Sequence, residues 1–211
     1  MFSKLFGKKS TQRLDDKVWL NPDAKYNGLI RELLQHPNPK AITVIVAQFV
    51  ETFETLQTAL QLANVNYQLI TSMLDASRLY SITRGTVAVL MADSLSTAIG
   101  ASPFDAPTGD LQIDFVVIEH HPVRSQDLRI EEFGQSLTCP NTLTFHVCLN
   151  EPLMVLFGGS SVQALWQQLK IPIDNFLTHP TISKSIQNAQ QKIERQATAN
   201  TSARSAGRGW S

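Results

Sequence analysis

The sequence predicts an α/β fold: a parallel sheet with helices on both faces, followed by a helical extension at the C-terminus. Three observations carry this. Short runs rich in β-branched residues alternate with runs whose apolar residues recur every three or four positions. The strand runs are apolar on consecutive residues, as strands covered on both faces are. From about Pro152 the period becomes helical and stays so.

Taken in order, "AKYNGLIRELLQ" predicts a helix with Leu29, Ile30, Leu33 and Leu34 on one face, and the two prolines of "HPNPK" stop it. "AITVIVAQF" is a strand buried on both sides, with Val44 and Val46 on one face and Ile45 on the other. "ETFETLQTALQLANV" is a helix through Phe53, Leu56, Leu60 and Leu62. "NYQLI", "GTVAVLMA" and "LQIDFVVIE" are strands. "RSQDLRIEEFGQS" is a helix, and "TLTFHVCL" closes the sheet. Beyond it, "LMVLFGGSSVQALWQQLKI" and "HPTISKSIQNAQQKIERQ" read as two helices joined by "PIDNFLT". Pro180 sits near the start of the last one, where a missing N–H costs nothing.

This divides the chain into a basic lead over residues 1–16, expected to be flexible, and an α/β domain over 17–150. A helical extension follows over 151–196. The small polar tail over 197–211 is expected to be disordered.

Composition narrows the function. The formal net charge is zero, so nothing draws the whole chain to nucleic acid or anionic lipid. Three scattered tryptophans define no platform for stacked bases. Two cysteines, Cys139 and Cys148, make no disulfide framework; Cys148 reads as a buried thiol in a strand and Cys139 as an exposed one in a loop. No apolar run approaches the ~20 residues of a membrane span. The N-terminus lacks the apolar core of a signal peptide, so the expected location is the cytoplasm. There, Phe2, Leu5 and Phe6 beside Lys8 and Lys9 are candidates for weak peripheral contact with the inner face of the membrane.

Chemistry is sparse. Neither G-x-x-x-x-G-K-[ST] nor G-x-G-x-x-G occurs, so no phosphate-cradling loop is present, and "GGSS" at Gly158 to Ser161 reads as a helix start. Glu119, His120 and His121 are consecutive, so their side chains diverge instead of converging on a metal. They read as surface residues at a strand end. The last predicted helix carries one apolar stripe, Ile182, Ile186, Ala189 and Ile193, which buries against either its own domain or another chain.

The order of these segments resembles a known family. From about Lys17 to Gln196 the chain is similar to the second nucleotide-binding domain of SecA, the bacterial preprotein translocase motor ATPase, and to the first turns of its helical scaffold. The C-terminal run carries the likeness most specifically, through Glu151, Leu153, Met154, Phe157, His179, Pro180, Ser183, Lys184, Ile186, Ala189, Gln190, Lys192, Ile193 and Glu194. Glu119, His121, Phe145 and Leu149 also match. The resemblance implies a RecA-like, P-loop-NTPase-type fold.

It also shows a departure. Laid beside the family without a gap, the helicase-type Q-x-x-G-R-x-G-R motif falls on residues that lack its chemistry. Its Gln meets Arg129, its first Gly meets Glu132, and its arginines meet Phe133 and Ser136. Arginines there would stabilise charge on a transferring phosphoryl group, and Phe and Ser do not. The preceding Gly-Arg-Gly-Thr-Asp motif is replaced by "SLSTAIG". The resemblance therefore implies a SecA-like protein without ATPase chemistry, cofactor, metal or catalytic residue. Such a chain would act as an adaptor or regulator that binds protein, plausibly translocation machinery, through Ile182, Ile186, Ala189 and Ile193. Two other readings stay open: a domain completing the nucleotide site of a separate P-loop protein, with Arg124, Arg129 or Lys184 supplying charge, and a peripheral membrane-surface factor.

Overall fold

The computed structural model describes residues 11–35, 37–96 and 110–206, with side chains up to residue 197 apart from that of Phe157. The elements follow as β1 (Gln12–Arg13), β2 (Lys17–Trp19), α1 (Pro22–Gln35), β3 (Ala41–Ala47), α2 (Val50–Leu62), β4 (Gln68–Ile70), α3 (Ala76–Tyr80) and β5 (Val87–Met91). Then come β6 (Gln112–Val117), α4 (Arg124–Ser136), β7 (Asn141–Cys148), α5 (Pro152–Phe157), α6 (Gly159–Leu169), β8 (Phe176–Leu177) and α7 (Pro180–Ala206).

The sheet order is β4-β5-β3-β6-β7-β2-β8, with β1 also paired to β7. Every pairing is parallel except that of β2 with β8. This is the α/β class with a mostly parallel sheet and helices on both faces that the sequence pattern predicted. β3 lies inside the sheet, between β5 and β6, and is apolar on both faces. Val44 and Val46 pack with Phe115, Ile130 and Phe133 on the α3–α4 side, and Ile45 packs with Leu29, Leu56 and Leu60 on the α1–α2 side. A third core lies under the extension. There Val18, Val147, Leu153, Met154 and Trp166 pack against Ile182, Ile186 and Ala189, with Ile193 at the margin.

Several expectations need correction. The fold does not start at Lys17: Gln12 and Arg13 already pair with β7, and Asp16 is buried. Backbone hydrogen bonding to an open strand edge outweighs the polar composition of this segment. The apolar run after Pro152 is two helices, because Gly158 takes φ 155°, a conformation outside the helix that glycine tolerates. The last helix runs on to Ala206, the alanines of "ATANTSARSA" having the strongest helix propensity of any residue. Leu34 and Leu62 point outward, and Cys139 is buried. The Ile182, Ile186, Ala189 and Ile193 stripe packs within the chain, so a partner could reach it only by displacing α7. Phe2, Leu5, Phe6, Lys8 and Lys9 lie outside the described residues. Among the described residues no helix is long and apolar enough to cross a membrane.

One close approach fixes α1 on the sheet. The ring of Trp19 lies where a side chain at Gly28 would stand, so only glycine fits there. Trp19 is wholly buried, edge-on to Phe176.

Candidate functional site

In an open parallel sheet, ligands bind beyond the carboxyl ends of the strands, where successive crossovers part to opposite sides. Here β3 leads through α2 toward β4, and β6 leads through α4 toward β7, so the crossovers part between β3 and β6. The residues at that point are Gln48 and Phe49 after β3, and Glu119, His120 and His121 after β6. A crevice of about 450 Å³ opens beside them, lined among others by Lys25, Thr52, Glu119, Cys148 and Glu151.

The crevice already holds an anion of its own. Glu119 accepts hydrogen bonds from the backbone N–H groups of Gln48 (2.8 Å) and Phe49 (3.1 Å) and from the Thr52 hydroxyl (2.5 Å). These groups stand at the start of α2, whose N-cap residue Phe49 supplies no side-chain cap. A helix N-terminus of this kind is the usual seat of a phosphate. Glu119 fills it from the end of the neighbouring strand β6. Burial pushes its carboxyl group above the usual carboxylate range, with Thr52, the two N–H groups and Lys25 pulling the other way.

Lys25 is spent in the same fashion. Its ammonium donates to Ile118 O (2.7 Å) and to Glu151 Oε1 (2.6 Å). Burial alone would lower its pKa, but the Glu151 charge and hydrogen bond win and raise it. The Cys148 thiol is pushed up to about 12 by burial and by Glu151, so it stays protonated and is no nucleophile at neutral pH.

His120 turns the other way and is buried, not a surface residue. It lies between two carboxylates, with Nδ1 2.6 Å from Asp127 Oδ2 and Nε2 3.2 Å from Asp16 Oδ2, and its ring stacks on Phe145 at 4.2 Å. Burial disfavours the imidazolium, but hydrogen bonds and charge from Asp127 and Asp16 outweigh it and lift the pKa to about 9. Burial likewise opposes the Asp16 anion, yet His120 and Arg13 hold that carboxyl down at about 2. The cluster clamps α7: Gln190 donates to Asp127 Oδ2 and His121 O, both at 2.6 Å, and the Ser183 hydroxyl accepts from Asp16 N at 2.8 Å. His121 stacks on Phe49. Glu119, His120 and His121 thus diverge, and no group of three or more His, Cys, Asp or Glu among the described residues is placed to hold a metal ion.

Comparison with known proteins agrees with the segment order. No family model matches the chain. The protein translocase subunit SecA of Desulfotalea psychrophila is 25% identical over 185 residues, covering 85% of this chain and 21% of that protein. SecA of Chromobacterium violaceum is 32% identical over 82 residues, 39% of this chain and 9% of that one. The chain is similar to SecA. It spans about a fifth or less of the length of these relatives. Among solved structures, the C-terminal domain of a possible DNA helicase from a Lactobacillus overlaps 67% of this chain and 75% of its own, at 15% identity and a TM-score of 0.39.

The SecA-like residues divide by what they touch. Ile186 and Ala189 lie in the third core, Ser183 and Gln190 form the clamp, and Glu119 caps α2, so the likeness is carried largely by structural contacts. Lys184 and Lys192 are exposed. Where the motif arginines would fall, Phe133 is wholly buried against Phe115, and the Ser136 hydroxyl donates to Phe133 O. Arg124 is turned to Glu131 at 2.8 Å. Sequence reasoning missed Lys25, Asp16 and Asp127. A single strand-to-helix pattern does not show which distant carboxylate will meet which cation.

Proposed function

We propose that this chain is a non-catalytic, SecA-like protein that serves protein translocation as an adaptor or regulator, acting through a protein partner. The observation that carries the reading is that Phe133, wholly buried, and Ser136, its hydroxyl turned to Phe133 O, stand where the motif arginines would fall; beside it, Glu119 is seated on the N-terminus of α2. A nucleotide phosphate entering there would have to displace a buried carboxylate from three donors, and would meet its negative charge if it did not. The sequence supports the same reading: it has no phosphate-cradling loop, and Phe133 and Ser136 stand in place of the motif arginines. Translocation as the setting rests on the SecA likeness.

The test is calorimetric titration of Mg-ATP into the chain, paired with its capture by purified translocase. The reading expects no heat of ATP binding up to millimolar nucleotide, and retention by the translocase. Micromolar ATP affinity overturns it.

A further inference from the structure

A groove between α1 and α2 continues the crevice down the outer face of the molecule. It has a volume of about 750 Å³ and shares Tyr26, Glu51 and Thr55 with the crevice. Among its lining residues the half-buried Tyr26, Ile30 and Ala59 make an apolar floor, and Leu62 stands at its edge. Leu62 is 80% exposed. Its lip is acidic, with Asp23 from α1 and Glu51 and Glu54 from α2, and neither Lys nor Arg lines it. The chain as a whole is neutral, so this is a local imbalance.

We propose that this groove binds a cationic, amphipathic helical segment of a partner protein. The reach from Glu51 to Leu62 along α2 is about 16 Å, the length of a three-turn helix. The apolar face of such a segment would cover Leu62 and Tyr26 while its lysines or arginines meet Glu51, Glu54 and Asp23. The acidic lip repels the phosphates of nucleic acid and anionic lipid, so a basic protein segment is the macromolecular ligand that matches both floor and lip. The proposal rests on the adaptor reading for the idea of a protein partner, and adds the surface and the chemistry of that partner.

The test is a fluorescence-anisotropy titration of the full chain with a labelled peptide KLLKKLLKKLLK and with its counterpart carrying Glu in place of Lys. The chain is expected to bind the lysine peptide and not the glutamate peptide. Affinity should fall at least tenfold in Glu51→Lys with Glu54→Lys, and again in Leu62→Asp. All three positions are exposed, and unchanged melting curves would show that the variants fold. Glu132→Lys with Asp110→Lys, which changes charge equally far from the groove, should bind as the parent does. No binding by the parent overturns the proposal, and so does an equal loss in the distant pair. Deleting residues 2–9 tests the chain's own basic segment as occupant; a tenfold gain in peptide affinity would assign the groove to that segment and overturn a partner. A null titration in a chain that also ignores Mg-ATP removes the groove and leaves the adaptor reading, whereas Mg-ATP binding removes that reading whatever the peptide does.

Discussion

Two histidines buried a short way apart behave in opposite ways. His120, after β6, is enclosed by Asp16 and Asp127, with a pKa near 9. His146, in β7, lies under α1 beside Trp19, with its Nδ1 unbonded and Lys17 and Lys25 nearby. Burial comes first among the causes that hold its pKa well below the usual histidine value, and the two lysine charges add to it. Equal burial gives opposite charge because partners, not depth, decide whether an ion survives in the interior. The His120 region is a polar clamp that ties the extension to the sheet. The His146 region is a packing seam, held by the fit of Trp19 into the space left by Gly28.

The largest effect should come from opening the clamp. Asp127 accepts from Gln48 Nε2, His121 N and Gln190, and faces His120. Asp127→Ala would leave a buried imidazolium and several donors without their acceptor, at a cost of about 3–5 kcal/mol. Thermal unfolding followed by circular dichroism should show a fall in Tm of many degrees; a loss within about 1 kcal/mol would show that the clamp holds nothing. On the seam, Gly28→Ala drives a methyl group into the Trp19 ring. It should cost about 1–3 kcal/mol through overpacking alone, with the pH dependence of stability unchanged.

The smallest effect distinguishes the two sites by its sign. A raised pKa means that the folded chain holds its proton longer, so the His120 contribution is complete below the unfolded value near 6.5 and fades as pH rises toward 9. A lowered pKa means that the unfolded chain takes the proton first, so His146 costs stability as pH falls below about 6.5. His146→Leu, which removes an unbonded buried nitrogen, should alter stability at pH 8 by no more than about 1 kcal/mol and flatten the acid side of the curve. Chemical denaturation from pH 5 to pH 9 measures both, and an unchanged acid slope in His146→Leu would rule the assignment out.

Much of the fold was legible because it depends on pattern. The two-sided apolar run "AITVIVAQF" placed β3, which ends two residues sooner at Ala47, and the helical period of 124–136 gave α4 to the residue. The start of α6 was legible in "GGSS", since α6 begins at Gly159, but the short β8 was not. Two residues of strand carry no period. The crevice was read less well than the sheet. Glu119 and His120 were picked out by type, but their roles come from Gln48, Asp16 and Gln190, which lie far away in sequence, and from Asp127, seven residues on from His120 in the next helix. The lack of a G-x-x-x-x-G-K-[ST] run is a reading of the sequence itself, since that motif is contiguous. The seat of Glu119 on the start of α2 was not legible, because that contact exists only once β3 and β6 lie side by side.

That buried charge near the crevice is spent inside the chain, holding α7 in place, can be examined at single residues. Histidine side chains labelled with ¹⁵N would be followed by NMR from pH 5 to pH 10. His120 should remain an imidazolium through pH 8 and titrate near 9, while His146 should take up its second proton only well below pH 6.5. Two buried histidines titrating together near 6.5 would contradict the account, because neither the clamp around His120 nor the burial of His146 could then be as described.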